Sequence, residues 1–225
     1  MDLDSRKQEL AKKYNIDFDK LEKEQIKLAK ELTIKDKINF LLVERYGAID
    51  NIFIKNRILS CFIVCNKDFE IIDQTYVFDE CKFPYLPGFR NYRELPAMIA
   101  NFEKINEKPD VIFINAPGII HPRLGLASHL GLFTGVSTIG VSNSLINSEA
   151  EKKDGSDILR NGKKFGKVLI VKSESNPLFI SPGDHISIKT AYELSKKLIN
   201  LPHKRPEPMH LASKYAKNVK KELMG

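Results

Sequence analysis

The chain has 225 residues, 42% of them hydrophobic and 29% charged, too apolar for a disordered chain and long enough for one sizeable α/β domain. Its formal charge of +7 favours an anionic partner, and the excess is local: residues 196–225 hold eight Lys/Arg against two acids, while residues 1–40 hold ten against nine. No run approaches the roughly 18 apolar residues of a membrane span, and the odd set of Cys61, Cys65 and Cys81 argues against a disulfide framework, so a reduced, cytoplasmic protein with no membrane partner is expected. A monomer is the working expectation, although no motif encodes the oligomeric state.

Residues 18–32 place Phe18, Leu21, Leu28, Ala29 and Leu32 on one helical face, which predicts a helix within an N-terminal extension over 1–40. Three β-type runs follow at 47–54, 57–65 and 69–78, and the short polar turns between them imply an antiparallel meander. FPYLPG at 83–88 is a proline-fixed loop. Beyond it, the spacing of Leu95, Met98, Ile99, Phe102 and Ile105 predicts a helix from Glu94, which leaves Pro96 in its first turn.

VIFI at 111–114 reads as a buried strand, NAPGIIHPRLG as a loop, 124–133 as a helix and STIGV at 137–141 as a second buried strand. Residues 147–164 are polar and read as mobile. KVLIVK and PLFIS give two more strands, and 187–199 and 208–223 give closing helices, the last within a basic C-terminal segment over 205–225. Three antiparallel strands followed by helix, strand, helix and strand is the order of a ribonuclease H-like mixed α/β sheet flanked by helices, here as one domain over 1–225.

Asp50, in the apolar strand GAIDNIFI, needs either a salt-bridge partner or a cation, and the motif alone leaves both readings open. Glu94 suits a helix start as a cap as readily as it suits a metal. His121 follows a buried strand in a Gly- and Pro-rich loop, where catalytic groups are often displayed, although a loop histidine is commonly just a surface residue. The lysines near the end, including Lys217 and Lys221, are either a phosphate-binding face or a solvated one.

Three segments in order join these signals: FPYLPGFRNYRELPA at 83–97, PGIIHPRLGLASHLGL at 117–132, and NPLFISPGDHIS with RPEP at 205–208. Through them the sequence resembles the endonuclease V family over roughly residues 20 to 210. The resemblance implies a Mg-dependent (or Mn-dependent) nuclease of DNA or RNA repair that cuts 3′ of deoxyinosine or inosine. It implies Asp50, Glu94 and His121 as catalytic residues, and Asp50, Glu94 and Asn115 as the metal set. It makes Pro84, Tyr85, Leu86 and Pro87 a wedge pushed into the duplex, Gly88, Ala116 and Gly118 the lesion pocket, and Arg123 a phosphate contact, to which the local charge excess adds Lys217 and Lys221 as phosphate contacts.

The sequence departs from the family pattern at several of these places. Asn115 stands where the family has its second metal aspartate, which removes a negative charge and weakens cation binding. Ala116 replaces a glycine, and Asn143 and Ser144 stand where basic side chains are expected. The expectation is therefore an endonuclease V-like protein with impaired cleavage, the alternative being a non-catalytic nucleic-acid-binding or protein-interaction module on the same fold.

Overall fold

A computed structural model describes residues 2–172 and 175–225. Among the described residues nine strands form one mixed sheet. The meander β1 (Tyr46–Ile54), β2 (Arg57–Cys65) and β3 (Ile71–Glu80) is antiparallel as expected, and β4 (Val111–Ile114) and β5 (Ser137–Ser142) extend it in parallel from β1. β6 (Glu149–Ala150), β7 (Asp157–Arg160), β8 (Lys163–Leu169) and β9 (Leu178–Asp184) complete the order β3-β2-β1-β4-β5-β9-β8-β7-β6.

The two-residue alternation of strands divides the apolar side chains between two layers. On one face Ala48, Phe113 and Ile139 pack with Ala191 and Leu194 of α5 (Ile188–Lys197) and with Met209 and Ala212 of α6 (Glu207–Met224). On the other, Ile49, Ile112 and Ile114 pack with Leu95 and Met98 of α3 (Arg90–Lys104) and with Leu126 and Leu130 of α4 (Leu126–Thr134). Each such fully buried large side chain contributes about 1.5–3 kcal/mol. No helix among the described residues is long and apolar enough to cross a membrane.

The N-terminal segment contains two helices, α1 (Leu3–Tyr14) and α2 (Phe18–Leu28), where the periodicity predicted one. Leu10 and Phe18 meet Leu86 and Phe89 in a small core of their own.

Two local expectations are corrected. α3 starts at Arg90, so Pro96 lies inside the helix and Glu94 is not a helix-start residue. Its apolar face and the turn before it outweigh the lost proline N–H, and the capping reading of Glu94 falls away. The stretch read as mobile is also ordered, because Asn161 and Gly162, at φ 50° and 72°, form the two-residue loop joining β7 to β8.

Candidate active site

Because β1 alternates, consecutive residues look in opposite directions. Asn51 follows Ile49 toward α3, and its Nδ2 donates to Glu94 Oε2 at 2.9 Å. Asp50 follows Ala48 toward α6. Burial raises its pKa, while hydrogen bonding to Ser213 and the charges of Arg205 and Lys217 pull it back. The same alternation that builds the two cores therefore separates the two candidate carboxylates.

Glu94, 2% exposed, is neutralised from within its own helix. Arg90, one turn earlier, donates from Nε to Oε1 and from Nη2 to Oε2, the latter at 3.0 Å. Its Nη1 donates to the main-chain carbonyl of Asn115 at 3.1 Å. Of the three candidate metal ligands, the structure thus brings Glu94 and Asn115 to one guanidinium and directs Asp50 to the α6 side.

This donor set does not fit a magnesium ion, which takes oxygen ligands in near-octahedral geometry. Both Glu94 oxygens are engaged by a guanidinium and an amide, so this carboxylate is not free to ligate, and the same guanidinium takes the main-chain carbonyl of Asn115, not the side-chain amide expected as a ligand. An acceptor does remain beside them, since Asn51 Oδ1 is buried without a hydrogen-bond partner.

The histidine loop is laid tightly against the sheet. Gly118 N–H donates to Ser181 Oγ at 3.0 Å, and a Cβ on Gly118 would run into the Pro182 carbonyl. Ala116 is buried, and its carbonyl lies where a Cβ on Gly140 would stand. His121 is buried in this loop, its Nδ1 accepting the Arg123 N–H at 3.2 Å. Burial, then the charges of Arg123 and Arg160, push its pKa down to about 4. At neutral pH the ring is uncharged, and with Nδ1 accepting, the proton sits on Nε2 as a donor.

The proline loop has the shape of an anchored tip. Pro84 and Leu86 are buried, while Tyr85 between them is 61% exposed. Arg123, expected at a phosphate, is already engaged: its guanidinium donates to Gln25 Oε1 at 2.7 Å and to the Gly88 carbonyl at 3.1 Å, and pairs with Glu22 at 3.2 Å. It ties the histidine loop, the proline loop and α2 together. Gly88 turns this corner at φ 84°, and a Cβ there would meet the Arg123 guanidinium. Lys217 and Lys221 are exposed on α6.

Arg90, Asn51, Arg160 and Arg205 escaped the sequence reading. Arg90 lies four residues before Glu94, a helical pair that becomes visible once the helix is started at 90. Arg160 donates to the Ile120 carbonyl at 2.9 Å beside His121, and it lies on the hairpin whose signal was the Asn161–Gly162 pair.

Comparison with known proteins places this geometry in context. The family model described as Endonuclease V matches residues 26–214. Endonuclease V of Thermosipho melanesiensis is 34% identical over 205 residues, covering 87% of this chain and 88% of that protein. The crystal structure of endonuclease V from Bacillus subtilis superposes with a TM-score of 0.84 at 23% identity, covering 92% of this chain and 94% of that one. That of Ciona intestinalis endonuclease V, solved with a 23mer DNA containing an inosine followed by a ribo-adenosine, gives 0.83 at 22% identity, covering 92% and 98%.

Proposed function

The chain belongs to the endonuclease V family, and from that premise we propose that it recognises inosine-containing DNA or RNA and that its strand cleavage is impaired. The observation that carries the second half is Arg90 bound to both Glu94 and Asn115. A carboxylate neutralised by a fixed guanidinium neither attracts a free cation strongly nor accepts a proton from water.

Three features support the recognition half of this reading. The exposed Tyr85 ring, standing on buried Pro84 and Leu86, stacks beside a displaced base. The Nε2–H of neutral His121 donates to a phosphate oxygen, which makes it a positioning group at neutral pH and not a cationic clamp. Lys217 and Lys221 neutralise backbone charge further along. The inosine lesion enters this proposal through the family and through the DNA in the Ciona relative.

The test is binding to deoxyinosine duplex and inosine RNA in EDTA, beside nicking of both in Mg²⁺ and in Mn²⁺. Binding in EDTA with little nicking is expected. Nicking by the wild type as fast as by an Asn115→Asp, Arg90→Leu variant overturns the impaired-cleavage reading, and equal affinity for inosine and undamaged strands overturns recognition.

A further inference from the structure

Away from Glu94, the turn leading into α6 gathers a different set of ligating groups. One ligating atom from each of His203, Glu207 and His210 lies within 4.8 Å of the others. Among the described residues this is the group of three or more His, Cys, Asp or Glu side chains with that convergence. We propose that His203, Glu207 and His210 bind a divalent transition metal ion of the zinc type.

The three residues are held by the backbone and by packing. Glu207 is the first residue of α6, its N–H donates to the Leu198 carbonyl at 2.7 Å, and Ile199 bridges to Pro206 beside it. Its side chain is 7% exposed, so the carboxylate is an almost fully buried charge that needs a cationic partner. His203 Nδ1 lies 2.7 Å from Glu207 Oε2, and His210 follows one helical turn after Glu207 on the same face.

The two imidazoles stack with centroids 3.4 Å apart and planes 13° from parallel. Parallel rings at that spacing direct their in-plane lone pairs along separate lines, so a rotation of the side chains, which their partial burial allows, brings both nitrogens onto one ion.

Two imidazole nitrogens and one carboxylate oxygen suit zinc or cobalt and not magnesium, which prefers an all-oxygen shell. Three protein ligands leave one position for water or a phosphate oxygen. Ser213, whose hydroxyl pulls the Asp50 pKa down, lies one turn further along α6, so a cation here adds to the positive field on the Asp50 side.

The inference is independent of the nuclease reading and is tested without it. Tag-free full-length protein, stripped with EDTA and desalted, is titrated with Zn²⁺ by calorimetry and with Co²⁺ by visible absorption. One equivalent of Zn²⁺, a Co²⁺ band displaced by Zn²⁺ and no response to Mg²⁺ are expected. His203→Ala and His210→Ala should each weaken Zn²⁺ binding more than about tenfold. His185→Ala should leave it unchanged. Absence of Zn²⁺ binding to the wild type, or equal binding by wild type and both His203→Ala and His210→Ala, overturns the proposal and leaves His203–Glu207 a plain hydrogen-bonded pair. The histidines are only partly buried, so both variants are expected to fold, which circular dichroism checks.

Discussion

At the scale of single residues, Arg90 and Asn115 act on the same place, so their substitutions should not add. Asn115→Asp restores a carboxylate but leaves the guanidinium on Glu94, and it is expected to change nicking by less than threefold. Combined with Arg90→Leu it should raise metal-dependent nicking tenfold or more, about 1.4 kcal/mol of barrier. Arg90→Leu alone leaves buried Glu94 short of partners and should cost roughly 1–3 kcal/mol of stability by urea unfolding. A rescue by Asn115→Asp alone would show that Arg90 is no obstacle. His121 makes a second prediction. Its folded pKa of about 4 lies below the ordinary 6.5, so between those values the unfolded chain takes up a proton that the folded chain refuses. Stability is therefore full above pH 6.5 and is lost as pH falls toward 4, on the order of 3 kcal/mol in all. Urea midpoints across that window should fall less steeply for His121→Asn. Glu94, Asn115 and His121 were legible because motifs mark them. Arg90 was not, because its meaning depends on where the helix starts.

At the scale of elements, the strands of the meander and the two buried strands could be read from runs of apolar residues, and the closing helices from their periodicity. The edge hairpin could be read that way only at its end, where KVLIVK covers the second half of β8. β7 and the start of β8, with Lys163 and Lys164, look like loop by composition, while the Asn161–Gly162 pair with both φ values positive is the real signal. Gly162→Val places a β-branched residue at φ 72° and should cost about 1–2 kcal/mol. It should also loosen Arg160 from the Ile120 carbonyl, seen as faster hydrogen exchange in residues 157–169. An unchanged melting temperature would show that the hairpin does not depend on this turn.

For the whole molecule, charge is the property that the sequence states most directly. If the exposed α6 lysines meet the phosphate backbone as proposed, binding to nucleic acid should be salt-dependent, with the slope of log K against log salt falling by about two when Lys217→Glu and Lys221→Glu remove those two positive charges. Affinity that does not change with salt would remove α6 from the interface. The N-terminal helices are the opposite case. Their apolar spacing shows that they exist, but nothing local shows that Gln25 meets Arg123, 98 residues away. That contact is a product of the closed sheet, so it became visible only with the tertiary structure.

The Arg123 knot has a mechanical consequence. Its guanidinium grips the corner at Gly88, three residues from Tyr85, and its backbone N–H fixes the ring of His121. A force that moves Tyr85 strains a lever whose other arm is the imidazole, so the exposed tip of the proline loop and the His121 ring communicate through one side chain. Tension entering at the tip arrives at the histidine, and α2, holding Arg123 through Gln25 and Glu22, is the fulcrum.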